Sequence, residues 1–99
     1  MSEQNLYQKI YARDKYICQY CGKDGLESFD SWYFMTIDHF NGNPEDNIES
    51  NLKTACRFCN EQKSNKKFSS MDEARAFLIG SKIKKINEEF LMRKIERGS

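Results

Sequence analysis

Four cysteines fall as Cys18-Gln-Tyr-Cys21 and Cys56-Arg-Phe-Cys59, two Cys-x-x-Cys pairs with 34 residues between them. Such a turn sets two thiolates on one side of a tight knuckle, and two knuckles supply the four sulfurs of a tetrahedral structural zinc. Gly22, directly after the first pair, suits a knuckle that needs a permissive backbone. The alternatives are two disulfides, a redox pair or four buried thiols. The polar N-terminus lacks a basic start followed by an apolar stretch, which disfavours export and hence disulfides. A thioredoxin-like pair would need one Cys-x-x-Cys on a βαβ frame. A site closed by Cys18, Cys21, Cys56 and Cys59 keeps no open position, so its zinc is expected to hold the fold and not to catalyse. A chain of 99 residues builds only a thin core and needs such a staple.

A second constellation lies between and just after the pairs: Asp38-His39, Asn51-Leu52, Asn60 and Lys63. His39 is the single histidine of the chain, and a lone histidine is more often a surface or packing residue than a chemical one. Here it follows a carboxylate and precedes a cluster of bases, Lys53, Arg57, Lys63, Lys66 and Lys67, in which Glu61 is the only acid. A solvated helix face is the plain alternative for those bases. A calcium loop starting at Asp38 is excluded, because it would need oxygen ligands at positions 40 and 42 and glycine at 43, where the chain has Phe40, Gly42 and Asn43.

The elements that must position these groups are short. Leu6, Tyr7, Ile10 and Tyr11 recur at helical spacing and predict a helix over 4–14, with an extended run from Lys15 to Ile17 into the first knuckle. Residues 23–32 read as a turn and hairpin return, and Trp32-Tyr-Phe-Met-Thr-Ile-Asp38 as a strand rich in β-formers. Residues 40–50 are turn formers and form a surface loop, and 51–55 a second strand into the second knuckle. A helix is expected from Cys59 or Asn60 to Lys67. Ser70-Met-Asp-Glu73 has the form of a capping box for a helix that stops near Gly80. A last amphipathic helix over 82–96 turns Ile83, Ile86, Phe90 and Leu91 or Ile95 inward, with Glu89 four residues before Arg93. Phe29, Trp32, Tyr33, Phe34 and Phe58 are expected in the core, because so small a domain needs its large side chains inside.

In order and spacing the sequence resembles the HNH endonuclease family, whose motif typically reads Asp-His, a Gly-containing loop, Asn-Leu, and Cys-x-x-Cys-His/Asn-x-x-Lys. The matching residues are Asp38-His39, Gly42, Asn51-Leu52 and Cys56-Arg-Phe-Cys59-Asn60-Glu-Gln-Lys63, with Arg13-Asp14 ahead of the first knuckle. The resemblance covers 13 to about 67 and implies an α+β fold: a small zinc-stapled ββα-metal, treble-clef-like domain with an N-terminal helix and C-terminal amphipathic helices. One domain over 1–99 follows, its core motif about 13–67 and its helical extension about 70–97. The resemblance implies a metal-dependent DNA endonuclease hydrolysing phosphodiester bonds, with His39 as general base activating water and Mg²⁺ or Mn²⁺ held by Asp38 and Asn60. It makes Asn51 the residue that ties down the loop and helps orient His39 without touching the metal. Many members carry histidine where this chain has Asn60, and an amide there favours Mg²⁺ or Mn²⁺ over softer metals. Lys63, Arg57, Lys53, Lys66 and Lys67 become phosphate contacts, Lys63 nearest the scissile group. The alternative is a non-catalytic zinc-knuckle DNA-binding module. An interaction protein with a merely structural zinc would leave Asp38-His39 beside the bases unexplained.

The net charge of +1 argues against a generic polyanion binder, yet it conceals an asymmetry. Residues 1–50 carry four bases against nine acids, a balance of −5, and residues 51–99 carry 12 bases against six acids, a balance of +6. With a mean hydropathy of −0.84 and no apolar run near the roughly 18 residues that span a bilayer, the partner expected is DNA and not a membrane. A cytoplasmic location is expected, as is a homodimer or a larger nuclease or phage complex to supply specificity that 99 residues cannot hold.

Overall fold

Leu6, Tyr7, Ile10 and Tyr11 share one face of α1 (Glu3–Arg13) in the computed structural model, which describes residues 3–98. That face closes a small apolar cluster with Ile37 and Leu52, in which Ile10 and Leu52 are fully buried. Beyond α1 the chain does not run extended as expected. Lys15 and Tyr16 both take positive φ, 55° and 61°, folding the chain back so that the Tyr16 amide donates to the Tyr11 carbonyl at 2.9 Å. Ile17 then bridges Asp24 around the first knuckle.

The strand expected from Trp32 begins only at Met35. Ser28 is extended, and its hydroxyl accepts the Ser31 amide at 3.0 Å, capping a short helix α2 (Phe29–Tyr33) that takes Trp32 and Tyr33 out of the strand. Of the aromatics expected inside, Phe29 and Tyr33 are 76% and 69% exposed, because α2 lies on the surface. Trp32 packs edge-on against Tyr11 and Tyr16, and Phe58 is partly buried against the cysteine cluster. Phe34 stays 40% exposed.

β1 (Met35–His39) pairs antiparallel with β2 (Leu52–Cys56), Asp38 opposite Lys53 and His39 opposite Leu52. The intervening loop is bound by its own side chains and ends in a 3₁₀ turn, Glu49–Asn51. α3 (Arg57–Lys63) starts directly at the end of β2, earlier than expected, and stops before Lys67 as Ser64 takes φ 51°. The fold is thus mixed, a two-stranded antiparallel sheet with helices around it and the four cysteines close together.

Half of the expected capping box is present: Ser70 Oγ accepts the Glu73 amide at 3.1 Å and starts α4 (Met71–Lys85), while the Glu73 carboxylate accepts the Ser69 hydroxyl. α4 does not stop at Gly80. It runs on through a π turn (Ile86–Phe90) into α5 (Leu91–Gly98), since one glycine lowers helix propensity by only about 1 kcal/mol. Ala74 and Leu78 are fully buried against the cysteine cluster, but the last segment does not turn inward. Ile83, Ile86, Phe90, Leu91 and Ile95 are all exposed, because the helix has by then left the core it packs on. The Glu89 to Arg93 contact forms at 3.7 Å, beside a tighter Lys85 to Glu89 pair at 2.9 Å. No described helix is long and apolar enough to cross a membrane.

Candidate metal centre and catalytic cleft

β2 ends at Cys56 and the first knuckle folds over it, so Cys18, Cys21, Cys56 and Cys59 bring their sulfurs within 4.8 Å of one another. Sulfurs 2.3 Å from a tetrahedral zinc lie about 3.8 Å apart. The Cys21 to Cys56 sulfur separation is 3.7 Å, and no disulfide forms. The donor set therefore fits zinc. Amides of Cys21 and Cys59 point at the sulfurs of Cys18 and Cys56, each at 3.5 Å, and Gly22 turns the first knuckle at φ 82°. Hydrogen bonding among the sulfurs pulls the Cys21 thiol far down and pushes Cys56 and Cys59 far up, a competition among close anions that a bound cation relieves. Lys82 reaches in from α4 to within 3.5 Å of Cys21 Sγ, a cation beside the sulfur whose thiol is pulled furthest down.

The second centre opens where β1 ends. Asp38, His39 and Asn60 line one surface cleft of about 440 Å³ together with Gly42, Pro44, Ser64 and Asn65. Asp38 is 3% exposed. Its Oδ2 accepts the Tyr20 hydroxyl at 2.5 Å and lies 3.2 Å from Lys63 Nζ. Burial, followed by the negative charge of Asp38, pushes the Tyr20 phenol far up, so Tyr20 stays protonated and donates. His39 Nε2 lies 2.9 Å from Asn47 Oδ1.

Asn51 works as a cross-brace. Its Oδ1 accepts the Asn41 amide at 2.9 Å, while its Nδ2 donates to Asn41 Oδ1 at 3.1 Å and to the Asp46 carbonyl at 2.9 Å. The loop it ties begins at His39, whose carbonyl accepts the Gly42 amide at 2.8 Å. Arg13 and Asp14 brace the far side of the sheet. Arg13 pairs with Asp14 and donates to the carbonyls of Glu49 and Leu52, and Asp14 Oδ2 accepts the Thr54 amide at 2.9 Å. Burial opposes ionisation of Asp14, but the Arg13 guanidinium and the Thr54 amide outweigh it and hold the carboxyl below the usual carboxylate range.

The expected phosphate contacts scatter. Lys63 is fully buried, its ammonium shared between Asp38 and the His39 carbonyl at 3.1 Å, so it props the site from behind and is not offered to a phosphate. Arg57 is exposed, but its guanidinium stands 6.0 Å over the Tyr33 ring. Lys53 is half-buried, and burial and then Arg13 lower its ammonium below the ordinary value. Lys66 and Lys67 are exposed directly beyond the cleft residues Ser64 and Asn65, but the Lys66 ammonium donates to the Gln62 carbonyl at 3.1 Å and lies 5.6 Å over the Phe77 ring. Sequence reasoning missed Tyr20 and Asn47. The first carries no signal beyond its place inside a knuckle, and the second is one asparagine among several in the loop.

A family model described as HNH endonuclease matches residues 18–66. The type 4 apparatus protein DotN of Legionella pneumophila subsp. pneumophila (strain Philadelphia 1) is 42% identical over 52 residues, which cover 52% of this chain and 22% of that protein. The chain thus spans under a quarter of the length of the curated relative it matches. No solved structure gives a significant match. The matched stretch spans both knuckles, the hairpin and the following helix, and over residues 18–66 the chain belongs to the HNH endonuclease family.

Proposed function

We propose that the chain is a DNA endonuclease dependent on Mg²⁺ or Mn²⁺. The observation that supports this best is the shared cleft, in which Asp38, His39 and Asn60 face one space while Asn47 and Asn51 fix the surrounding loop. His39 Nε2 donates to Asn47 Oδ1 in the tautomer that leaves the Nδ1 lone pair for a water proton. Asp38 and Asn60 offer a carboxylate and an amide oxygen, hard donors that fit a small divalent cation. When bound there, the cation supplies charge neutralisation at the phosphate and its leaving oxygen. Exposed Lys67 offers positive charge beyond the cleft for the flanking backbone, and Lys66 can join it by leaving the Gln62 carbonyl, a contact that gives affinity without sequence information.

One observation favours the second reading, a DNA-binding module that does not cut: Lys63 already neutralises the carboxylate proposed as cation ligand. The two readings part in one experiment. Supercoiled plasmid is incubated with zinc-loaded protein in Mg²⁺, in Mn²⁺ and in EDTA. Relaxed or linear product that EDTA abolishes supports the nuclease. Salt-sensitive DNA binding with no product in either metal supports the module.

A further inference from the structure

Tyr20 lies inside the first zinc knuckle, between Cys18 and Cys21, yet its hydroxyl ends on a residue of the cleft. We propose that Tyr20 is a positioning residue for Asp38: it fixes Oδ2, so that the other carboxylate oxygen alone faces a divalent cation, and the zinc knuckle thereby sets the geometry of the cation site. The inference rests on the reading of Asp38 as a cation ligand.

Three features carry it. Tyr20 is 2% exposed and Asp38 3%, so the phenol and the carboxylate meet with little bulk water around them. Both polar neighbours of Asp38, Tyr20 Oη at 2.5 Å and Lys63 Nζ at 3.2 Å, meet the same oxygen, Oδ2. The knuckle is also clamped on either side of the tyrosine. The Gln19 amide donates to the Thr54 carbonyl of β2 at 2.9 Å, Arg75 Nε of α4 donates to the Gln19 carbonyl at 2.8 Å, and the Gly22 amide closes on the Cys18 carbonyl at 2.9 Å. A phenol carried on such a frame has one place to point. Partners of a ligating carboxylate hold its orientation, and losing one typically weakens metal binding about 10 to 100-fold.

The test is Tyr20→Phe, which keeps the ring and removes only the hydroxyl. Zinc content is measured first and should stay at one per chain. Mn²⁺ affinity, read from the free-ion EPR signal, should fall about tenfold or more, and plasmid cleavage should return as Mg²⁺ is raised. Asp38→Asn should abolish Mn²⁺ binding without rescue, and Tyr20→Phe added to it should change nothing further. Wild-type Mn²⁺ affinity in Tyr20→Phe, with binding lost in Asp38→Asn, overturns the proposal and leaves the nuclease reading standing. Wild-type affinity in Asp38→Asn overturns the nuclease reading with it. Should Tyr20→Phe fail to hold zinc, the wild type supplies the readout. The buried Tyr20 hydroxyl proton should give a downfield NMR resonance that moves on Mg²⁺ addition, and a resonance unmoved at saturating Mg²⁺ overturns the proposal.

Discussion

Replacing Lys63 by methionine isolates the buried ion pair behind the cleft. Lys63 is fully buried, with its ammonium 3.2 Å from Asp38 Oδ2 and 3.1 Å from the His39 carbonyl. At an effective dielectric of 20 the direct attraction is about 5 kcal/mol, most of it offset by the desolvation of both groups. Removing one partner leaves the carboxylate buried without its counter-charge, which costs about 3 to 5 kcal/mol. The Tyr20 hydroxyl remains on Oδ2, which places Lys63→Met near the lower figure. For a domain of this size about 3 kcal/mol corresponds to a fall of roughly 12 °C or more in melting temperature. The assay is thermal unfolding at fixed excess zinc, because metal binding itself shifts the midpoint. Asp38→Asn in the same background should recover part of the loss, so the double variant is more stable than the two single losses add up to. A fall under about 4 °C, or strict additivity, would refute the argument that this pair is mutually dependent.

Other expectations follow from single features. Asp14 has a folded-state pKa depressed below its ordinary value, so its contribution is present above the unfolded value near 3.9 and is lost as pH falls through the lower folded value. Asp14→Asn should therefore lose stability at neutral pH and flatten the acid limb of a melting-temperature profile below about pH 4. Gly42 sits at φ 78°, and an added Cβ would lie 2.8 Å from the Asn65 carbonyl oxygen, so Gly42→Ala should cost about 1 to 3 kcal/mol in denaturant unfolding and deform the cleft. Ser70→Ala removes the cap on the Glu73 amide and should destabilise by about 1 kcal/mol, seen as faster proteolysis within α4. Zinc chelation should unfold the chain as followed by circular dichroism, because both knuckles and the start of α3 meet at the four sulfurs.

Covalent spacing and strong local periodicity made part of the molecule legible in advance. The four cysteines, the Asp38-His39 step at a strand end and the Ser70 cap are local patterns, and the structure has all three. Trp32 and Tyr33 favour a strand by residue type and are nevertheless helical, because β-propensity reflects packing on a pleated surface and the Ser28 cap decides the local conformation first. Ile83, Ile86 and Phe90 show helical spacing, but spacing cannot tell which helix has a core to face. Lys63 followed the family pattern, and only the tertiary placement of Tyr20 and Asp38 shows that its charge is taken up inside.

The nuclease account stands or falls on His39 as the group that takes the proton from water. The measurement is the rate of plasmid relaxation by wild type and by His39→Ala in saturating Mg²⁺, with equal zinc content and equal melting temperature. General-base catalysis predicts a drop of about 10²- to 10⁴-fold in the variant. Equal rates, or no Mg²⁺-dependent relaxation by the folded wild type, would contradict it.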